Sequence, residues 1–294
     1  MKIAVVSNIS KPKVRQAAEE LIPWMRQRSQ IVAIDEKAEL DLTKVDAEAI
    51  LIFGGDGTLL AAARRLSGRQ VPMMGVNFGR LGFLASFTPA EFMENFEKLI
   101  AGKLPTSTRL IVEASVIDAD VKCDLTDPAQ VIAKRKFVST ALNDCVITAG
   151  PPFRMIELLV GPEGDPGVRF LGDGLIISTP SGSTAYSMSA GGPILTTTIN
   201  AICITPICPQ SLSFRPIVIS SQNKVFVTAK RVYQGTTLVC DGQERTNLKA
   251  GDRIVVQRAL KDLLLIENPD AREWRTLAEK LNWAASPRYN ASNK

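Results

Sequence analysis

The chain of 294 residues is long enough for two domains or one large domain. It is 45% hydrophobic and 22% charged, as in ordinary soluble globular proteins, and no apolar stretch approaches the roughly 18 residues that a membrane-spanning helix needs. The net charge of +5 suits anionic substrates, whereas 6% aromatic residues and scattered basic residues disfavour nucleic acid as a partner. With a first apolar run too short for a signal peptide, these features predict a cytoplasmic protein that binds neither membrane nor nucleic acid.

Cysteine and histidine usage narrows the chemistry further. There are five cysteines, an odd number, and no C-x-x-C occurs, which argues against a disulfide framework and a zinc site. The chain has no histidine, which excludes Ser-His-Asp and Cys-His catalysis. Any proton chemistry must therefore use Asp, Glu, Lys, Tyr or Cys.

The first hundred residues alternate strand and helix patterns. Pro12 lies near the first turn of one predicted helix, and Thr88 is the predicted N-cap of another. Such alternation is typical of a Rossmann-like α/β domain with a parallel sheet. The predicted strands are 3–7, 31–34, 49–53 and 71–76, and the predicted helices are 13–28, 57–66 and 90–101.

After Gly102 the pattern changes to short β-rich runs, which predicts an all-β second domain resembling a sandwich. A polar segment, 118–136, has no clear periodicity and is expected to be a mobile loop. Helical spacing returns at 272–283, where Trp274, Leu277 and Leu281 share one face and are expected to pack on the first domain.

The last ten residues are expected to be frayed. The predicted domains are a phosphate-donor domain at 1–104, a dinucleotide-binding domain at 105–265 and a returning C-terminal segment at 266–294. The strands predicted in the β-rich part are 111–117, 137–141, 145–148, 155–160, 175–178, 202–205, 217–219, 224–228, 237–240 and 253–257.

One glycine-rich segment follows a buried strand directly: residues 53–60 read Phe-Gly-Gly-Asp-Gly-Thr-Leu-Leu. Glycine lets a ligand approach the backbone, and the following helix N-terminus offers free N–H groups to a phosphate. Asp56 would then be a fixed carboxylate beside that phosphate. The alternative interpretation is a plain turn in which Asp56 caps the helix. The two glycines before the acid favour the phosphate site.

A second segment, 172–193, is rich in glycine and hydroxyl side chains but contains neither a P-loop nor a Rossmann fingerprint. It is predicted to form a strand at 175–178, a turn at 180–182 and a helical start at 183–189. Its small side chains leave room for a planar base, and its hydroxyl and N–H groups can bind a ribose. The alternative is a serine-rich turn and helix cap.

Together these two segments resemble the NAD kinase family over nearly the whole chain. Gly-Gly-Asp-Gly-Thr alone also resembles loops of lipid kinases and phosphofructokinases, but Asp-Gly-x-Ile-x-x-Thr-Pro-x-Gly-Ser-Thr-Ala-Tyr at 173–186 is much more specific. Four further segments resemble the family: Gly-Val-Asn-x-Gly-x-Leu-Gly-Phe-Leu at 75–84, Asn143 followed by an acid, Ser-Leu-Ser-x-Arg-Pro at 211–216 and Asp-Gly-Gln at 241–243.

The resemblance implies transfer of the ATP γ-phosphoryl group to the 2′-hydroxyl of the adenosine ribose of NAD. It implies ATP or polyphosphate as donor, a magnesium ion held without Cys or His, and a homodimer or homotetramer. By the same resemblance Asp56 is the catalytic base, and no residue is assigned as a metal ligand. The residues expected to bind the nucleotides are Gly54, Gly55, Gly57, Thr58, Asn143, Asp144, Arg154, Asp173, Thr184, Ala185, Tyr186, Ser187, Met188, Ser189 and Gln243.

Three positions depart from the family pattern. Asp144 stands where the family usually has Glu, Leu171 where it often has Arg, and Gln210 where it often has His. Arg169, two residues before Leu171, lies on the same face of a strand and is expected to substitute. The rival interpretations are a related lipid or sugar kinase and a non-catalytic NAD(P)-binding regulator; turnover beside ligand binding separates the regulator from the kinase.

Overall fold

The computed structural model describes residues 1–79, 82–281 and 283. Within these residues there are three β-sheets of six strands each, one largely parallel and two antiparallel. This arrangement confirms the predicted class, an α/β unit followed by a β-rich unit. No helix in the described part of the chain is both long and apolar enough to cross a membrane.

The first unit is a parallel sheet covered by helices on both faces. Its elements are β1 Lys2–Ser7, α1 Pro12–Arg26, β2 Gln30–Asp35, β3 Ala49–Phe53, α2 Asp56–Arg65, β4 Met73–Val76, α3 Pro89–Ile100, β5 Thr106–Arg109 and β18 Leu263–Ile266. Its central strand β3 is buried throughout, which explains its uninterrupted apolar sequence. Thr88 caps α3 in a capping box with Glu91, as predicted. The strand order in this sheet is β2-β1-β3-β4-β18-β5.

The second unit is a sandwich of the two antiparallel sheets, because one apolar core draws buried side chains from strands of both. The elements are β6 Val112–Ile117, α4 Pro128–Lys134, β7 Arg135–Ala141, β8 Asp144–Thr148, β9 Ile156–Pro162, β10 Val168–Gly172, β11 Gly174–Ser178, a 3-10 turn Ser181–Thr184, α5 Tyr186–Ser189, β12 Ala201–Ile207, β13 Ile217–Ser220, β14 Val225–Arg231, β15 Thr237–Cys240, β16 Glu244–Asn247 and β17 Arg253–Arg258. The sheet orders are β10-β9-β14-β17-β6-β7 and β13-β12-β11-β8-β15-β16.

Four strands of the structure are absent from the sequence prediction: β5, β10, β16 and β18. The first three lie at sheet edges, where one side of the strand is unpaired and apolar alternation is weak. Strands β5 and β18 pair with each other inside the first sheet. The first unit therefore includes β5, which lies after the expected domain boundary at 104, and β18, which begins before the expected boundary at 266.

The segment 118–136 was expected to be a loop, and this expectation is wrong for its second half. Helix α4 begins after Asp127, whose carboxylate accepts hydrogen bonds from the N–H groups of Ala129 and Gln130. Val131 is buried and packs with Ile117. A helix of seven residues is too short to display a clear apolar period, so the pattern did not reveal it.

The C-terminal helix α6, Glu273–Leu281, buries Leu277 in a cavity between the two units. Trp274 is 62% exposed and packs edge-to-face on Trp283, so the prediction that it packs on the first domain is wrong. The fraying expected for the last ten residues concerns residues outside those the structure describes.

Candidate active site

Asp56 is the first residue of α2, directly after the turn that follows the buried strand β3. The N-cap is Gly55, whose backbone is extended and which has no side chain to cap the helix. Asp56 instead reaches a separate segment of the chain. The interpretation of Asp56 as a mere helix cap is therefore wrong.

The Asp56 carboxylate is bound by three backbone N–H groups of the segment 82–85, which we call the carboxylate loop. Oδ2 accepts from Phe83 at 2.8 Å, and Oδ1 accepts from Leu84 at 3.2 Å and Ala85 at 2.9 Å. A methyl group on Gly82 would lie 1.9 Å from Oδ1. Only glycine therefore fits at Gly82, and the carboxylate is held in one orientation.

The glycines around Asp56 leave open backbone facing a cleft of about 490 Å³. A Cβ on Gly55 would meet no atom within 4 Å, whereas one on Gly54 would lie 2.5 Å from the Thr58 hydroxyl. Lys11 and Lys13 line the same cleft. The cleft thus combines a helix N-terminus, bare backbone and two cations, which suits a phosphate chain.

On the second unit, Asn143 and Asp144 are positioned by the half-buried carboxylate of Asp241. This carboxylate accepts hydrogen bonds from the N–H groups of Leu142 at 2.9 Å, Asn143 at 2.7 Å and Asp144 at 3.2 Å. The Asn143 carbonyl accepts from the N–H of Thr179 at 2.9 Å. The backbone at 142–144 is therefore fixed from both sides.

The hydroxyl-rich segment folds back onto Asn143. A Cβ on Gly182 would lie 1.9 Å from the Asn143 carbonyl oxygen, so the two backbones touch there. Thr184 and Ala185 are half-buried, as is Met188, whereas Tyr186 and Ser189 are exposed. The Ser187 hydroxyl is buried and bonds Thr205 at 2.9 Å, so this side chain faces the protein interior rather than a pocket.

Asp144 has a strongly perturbed pKa. Burial first, and the neighbouring Asp241 carboxylate second, together raise its pKa from 3.8 to about 7, although the hydrogen bond from the N–H of Tyr186 acts in the opposite direction. Burial also raises the pKa of Asp241, while its three backbone N–H bonds lower it. Two carboxylates in one buried site leave Asp144 close to half-protonated at neutral pH.

This raised pKa predicts a pH-dependent stability. The folded state binds the Asp144 proton more tightly than the unfolded chain, so the free energy of unfolding should fall as pH rises from about 4 to about 7. Asn at this position cannot ionise, so Asp144→Asn removes this pH dependence, and its amide oxygen can still accept the hydrogen bond from the N–H of Tyr186. At pH 8 we expect the free energy of unfolding of the variant to exceed that of the wild type by up to roughly 4 kcal/mol. At pH 4 the two free energies should be nearly equal. Urea denaturation at the two pH values measures this; equal stability at pH 8 would contradict the buried, ionised state of Asp144.

Gln243 connects the two units at the start of α2. Its Nε2 donates to the Gly57 carbonyl at 2.9 Å, and its Oε1 accepts from Arg64 at 2.8 Å. Gln243 lies in the turn between β15 and β16, two residues after Asp241. The structure therefore places the Asp56 turn and the Asn143 segment around a common junction between the units.

Arg154 and Asp173 lie elsewhere. Ser178 pairs with Asp144 at one end of β11, while Gly174 pairs with Thr148 at the other end, about 13 Å away along the strand. Asp173 precedes that far end, and the exposed Arg154 follows Thr148 by six residues. Within this chain the structure does not bring these two residues to Asn143.

Arg154 and Arg169 each have partners of their own. The Arg154 guanidinium stands 5.5 Å from the Tyr233 ring centroid, which is a cation–π contact. Arg169, expected to substitute at the Leu171 position, pairs with Glu157 on the adjacent strand. The expected substitution therefore gains no support here.

Sequence reasoning missed several residues of this site: Lys11, Lys13, Gly82 and Asp241. Asp241 lies in the Asp-Gly-Gln motif, and Gly82 in the motif at 75–84, but neither motif indicated a bond to a backbone far away in sequence. The two lysines flank Pro12 at the start of α1. A basic pair at a helix N-terminus that follows a parallel strand was the available signal.

Comparisons with known proteins agree with this architecture. A family model described as the ATP-NAD kinase N-terminal domain matches residues 3–104, and one described as the ATP-NAD kinase C-terminal domain matches residues 142–268. The chain is 34% identical to an NAD kinase of Rhodopirellula baltica over 283 residues, covering 96% of this chain and 87% of that protein. It is 37% identical to an NAD kinase of Desulforamulus reducens over 290 residues, covering 95% and 96%.

Two solved structures share the fold. A yeast NADH kinase complexed with NADH superposes with a TM-score of 0.85 at 22% identity, covering 98% of this chain and 89% of that one. An NAD kinase from Archaeoglobus fulgidus in complex with ATP gives a TM-score of 0.74 at 24% identity, covering 96% and 99%. With both domain models matched in order and full-length relatives above 30% identity, this chain belongs to the NAD kinase family.

Proposed function

We propose that the protein transfers the γ-phosphoryl group of ATP to the 2′-hydroxyl of the adenosine ribose of NAD, yielding NADP. The observation that carries this proposal is the Asp56 carboxylate, fixed by three backbone N–H groups between a phosphate-sized cleft and the junction with the second unit. A ribose hydroxyl is a weak nucleophile and needs an aligned proton acceptor.

Asp56 would accept the hydroxyl proton through Oδ2. Among the residues that the structure describes, this oxygen accepts one hydrogen bond, from Phe83, whereas Oδ1 accepts two, which occupy its lone pairs. Oδ2 therefore keeps a lone pair for the 2′-hydroxyl. As the proton moves to Oδ2, the ribose oxygen gains the charge needed to attack the γ-phosphorus, and ADP leaves.

The donor phosphates would lie in the cleft beside Gly54 and Gly55. Backbone N–H groups at the start of α2 and the ammonium groups of Lys11 and Lys13 would hold the negative charge there. ATP is the proposed donor; polyphosphate presents the same repeating anion to this cleft.

The dinucleotide would lie on the second unit, across Asn143 and Asp144 and the exposed parts of 184–189. Asp144 is 5% exposed and accepts a hydrogen bond from the N–H of Tyr186, the first residue of α5, so a carboxylate one methylene shorter than Glu is set back into the protein. A water bridge between Asp144 and a ribose hydroxyl would fill that gap. Ser187 would support this segment from within rather than bind the ligand.

A magnesium ion fits the chemistry of this donor set. Among the described residues there is no group of three or more His, Cys, Asp or Glu side chains able to hold a metal. Magnesium bound with a nucleotide needs few protein ligands, because phosphates and waters fill most of its coordination shell. Asp56 is the carboxylate next to the cleft that would face it. When bound, the ion neutralises charge on the transferring phosphoryl group.

A homo-oligomer through the β-rich unit is the proposed assembly. Edge strand β13 exposes Ile217 and Val218, at 57% and 45%, and Leu212 nearby is 90% exposed. Such exposed apolar side chains on a strand with one unpaired edge favour contact with a second chain. A homodimer or homotetramer, like the cytoplasmic location, stays a prediction.

The test is NADP formation by the purified protein from NAD, ATP and magnesium, read with an NADP-specific cycling assay. Parallel reactions with polyphosphate in place of ATP identify the donor. We expect steady turnover that depends on both substrates. NAD binding without turnover with either donor would contradict the proposal and support a regulator that binds NAD(P).

A further inference from the structure

Helix α6 brings a lysine to the carboxylate loop from the far end of the chain. Leu277 anchors the helix by burial, and Glu273 at its start accepts a hydrogen bond from the N–H of Thr197 at 2.9 Å. One helical turn beyond Leu277, the side chain of Lys280 lies over the carboxylate loop. The helix is thus tied to the second unit at its start and to the first unit at its end.

The Lys280 ammonium contacts the carboxylate loop in two ways. It donates a hydrogen bond to the Gly82 carbonyl, and it stands 4.3 Å from the centroid of the Phe83 ring. Burial lowers the pKa of Lys280, while the negative charge of Asp56 opposes that effect. Lys280 is therefore both half-buried and close enough to Asp56 for an electrostatic attraction.

A single peptide group joins Lys280 to Asp56. The carbonyl of Gly82 accepts from the ammonium, and the N–H of the same peptide, on Phe83, donates to Asp56 Oδ2. A cation bound at the carbonyl end polarises the peptide and strengthens its N–H bond to a carboxylate. Oδ2 is also the oxygen that would take the proton of the substrate hydroxyl.

We propose that Lys280 is a positioning residue that fixes Asp56 through the peptide group between Gly82 and Phe83. The proposal rests on the proposed function only where it concerns turnover, because the contact itself belongs to the folded protein. It makes α6 a third contributor to the site, beside the Asp56 turn and the Asn143 segment.

The test compares Lys280→Met, Lys280→Arg and a matched control in the full-length protein. Arg275→Gln is the control, because it removes a cation from the same helix, at a position where the side chain is exposed and pairs with Glu279. Methionine keeps the aliphatic stem but loses the charge and the donor. Arginine can still reach a carbonyl and stack on a ring.

We expect Lys280→Met to lower kcat about tenfold while the KM for NAD changes less than about twofold, because the base rather than the binding pocket is disturbed. Lys280→Arg should recover most of kcat, and Arg275→Gln should match the wild type. Hydrogen exchange of a peptide covering 82–86 should be faster in Lys280→Met alone, since the N–H groups of the carboxylate loop lose their support.

Unchanged exchange at 82–86 in Lys280→Met would overturn the proposal whether or not the protein phosphorylates NAD. A loss of kcat that arginine does not restore, or that Arg275→Gln shares, would overturn it as well and indicate a general role of α6 in stability. A wild type without turnover would refute the proposed function, and the exchange comparison would still decide the role of Lys280.

Discussion

Asp56→Asn should reduce kcat by about a thousandfold or more while NAD binds with nearly wild-type affinity, because asparagine cannot accept the proton of the ribose hydroxyl. The substitution changes the fold little. Its amide oxygen can still accept from Leu84 and Ala85, and only the bond from Phe83 to Oδ2 is lost. We expect that loss to lower the free energy of unfolding by about 1 kcal/mol. Turnover and calorimetric NAD binding are measured on the same preparation.

A matched control for this variant is Asp127→Asn. Like Asp56, Asp127 accepts hydrogen bonds from backbone N–H groups, in this case two. It caps α4 in the second unit, away from the cleft. Its replacement should leave kcat unchanged. Near-normal kcat in Asp56→Asn would show that another group accepts the proton, and the assignment of the base would be wrong.

Gly182→Ala should weaken NAD binding by about thirtyfold, which corresponds to about 2 kcal/mol of overpacking. The new methyl group would lie 1.9 Å from the carbonyl oxygen of Asn143 and 2.7 Å from its Cα. Asn143 cannot move away freely, because Asp241 and Thr179 hold its backbone. The 3-10 turn must therefore shift and carry Thr184 away from its position. Isothermal titration with NAD measures the effect.

Gly57→Ala provides the control for stability in this comparison. Its Cβ would come no closer than 3.9 Å to any other group, and the position is helical. We expect an unchanged or slightly higher melting temperature for Gly57→Ala, and a lower one for Gly182→Ala. Wild-type NAD affinity in Gly182→Ala would contradict the placement of the dinucleotide on Asn143 and the segment after it.

Local sequence patterns predicted the parts of the site that depend on local structure. The apolar run ending at Phe53, the glycines after it and the following helix gave the strand, turn and N-terminus that position Asp56. Alternation of β-branched residues after Gly102 gave most strands of the sandwich. Edge strands such as β16, with the sequence Glu-Arg-Thr-Asn, were not predicted, because no buried face imposes an alternating apolar pattern on them.

Long-range bonds explain what the sequence could not reveal. The partners of the Asp56 carboxylate lie nearly 30 residues away, those of Asp241 nearly 100, and Lys280 bonds to Gly82 across 198 positions. No local period or spacing encodes such pairs. Ser187 was predicted to bind the ligand, but its hydroxyl bonds Thr205 in the interior. Its position in a hydroxyl-rich segment gave no indication of that bond. Only the packing of the sandwich decides which way it points.

The most direct test of the central claim is the position of the transferred phosphate. Purified protein is incubated with NAD, ATP and magnesium, and the product is examined by phosphorus and proton NMR, with Asp56→Asn alongside. We expect one new phosphomonoester, coupled to the 2′ proton of the adenosine ribose, formed in equal amount with ADP and absent with the variant. A phosphate on another hydroxyl, or ADP formed without any new ester on NAD, would contradict the claim.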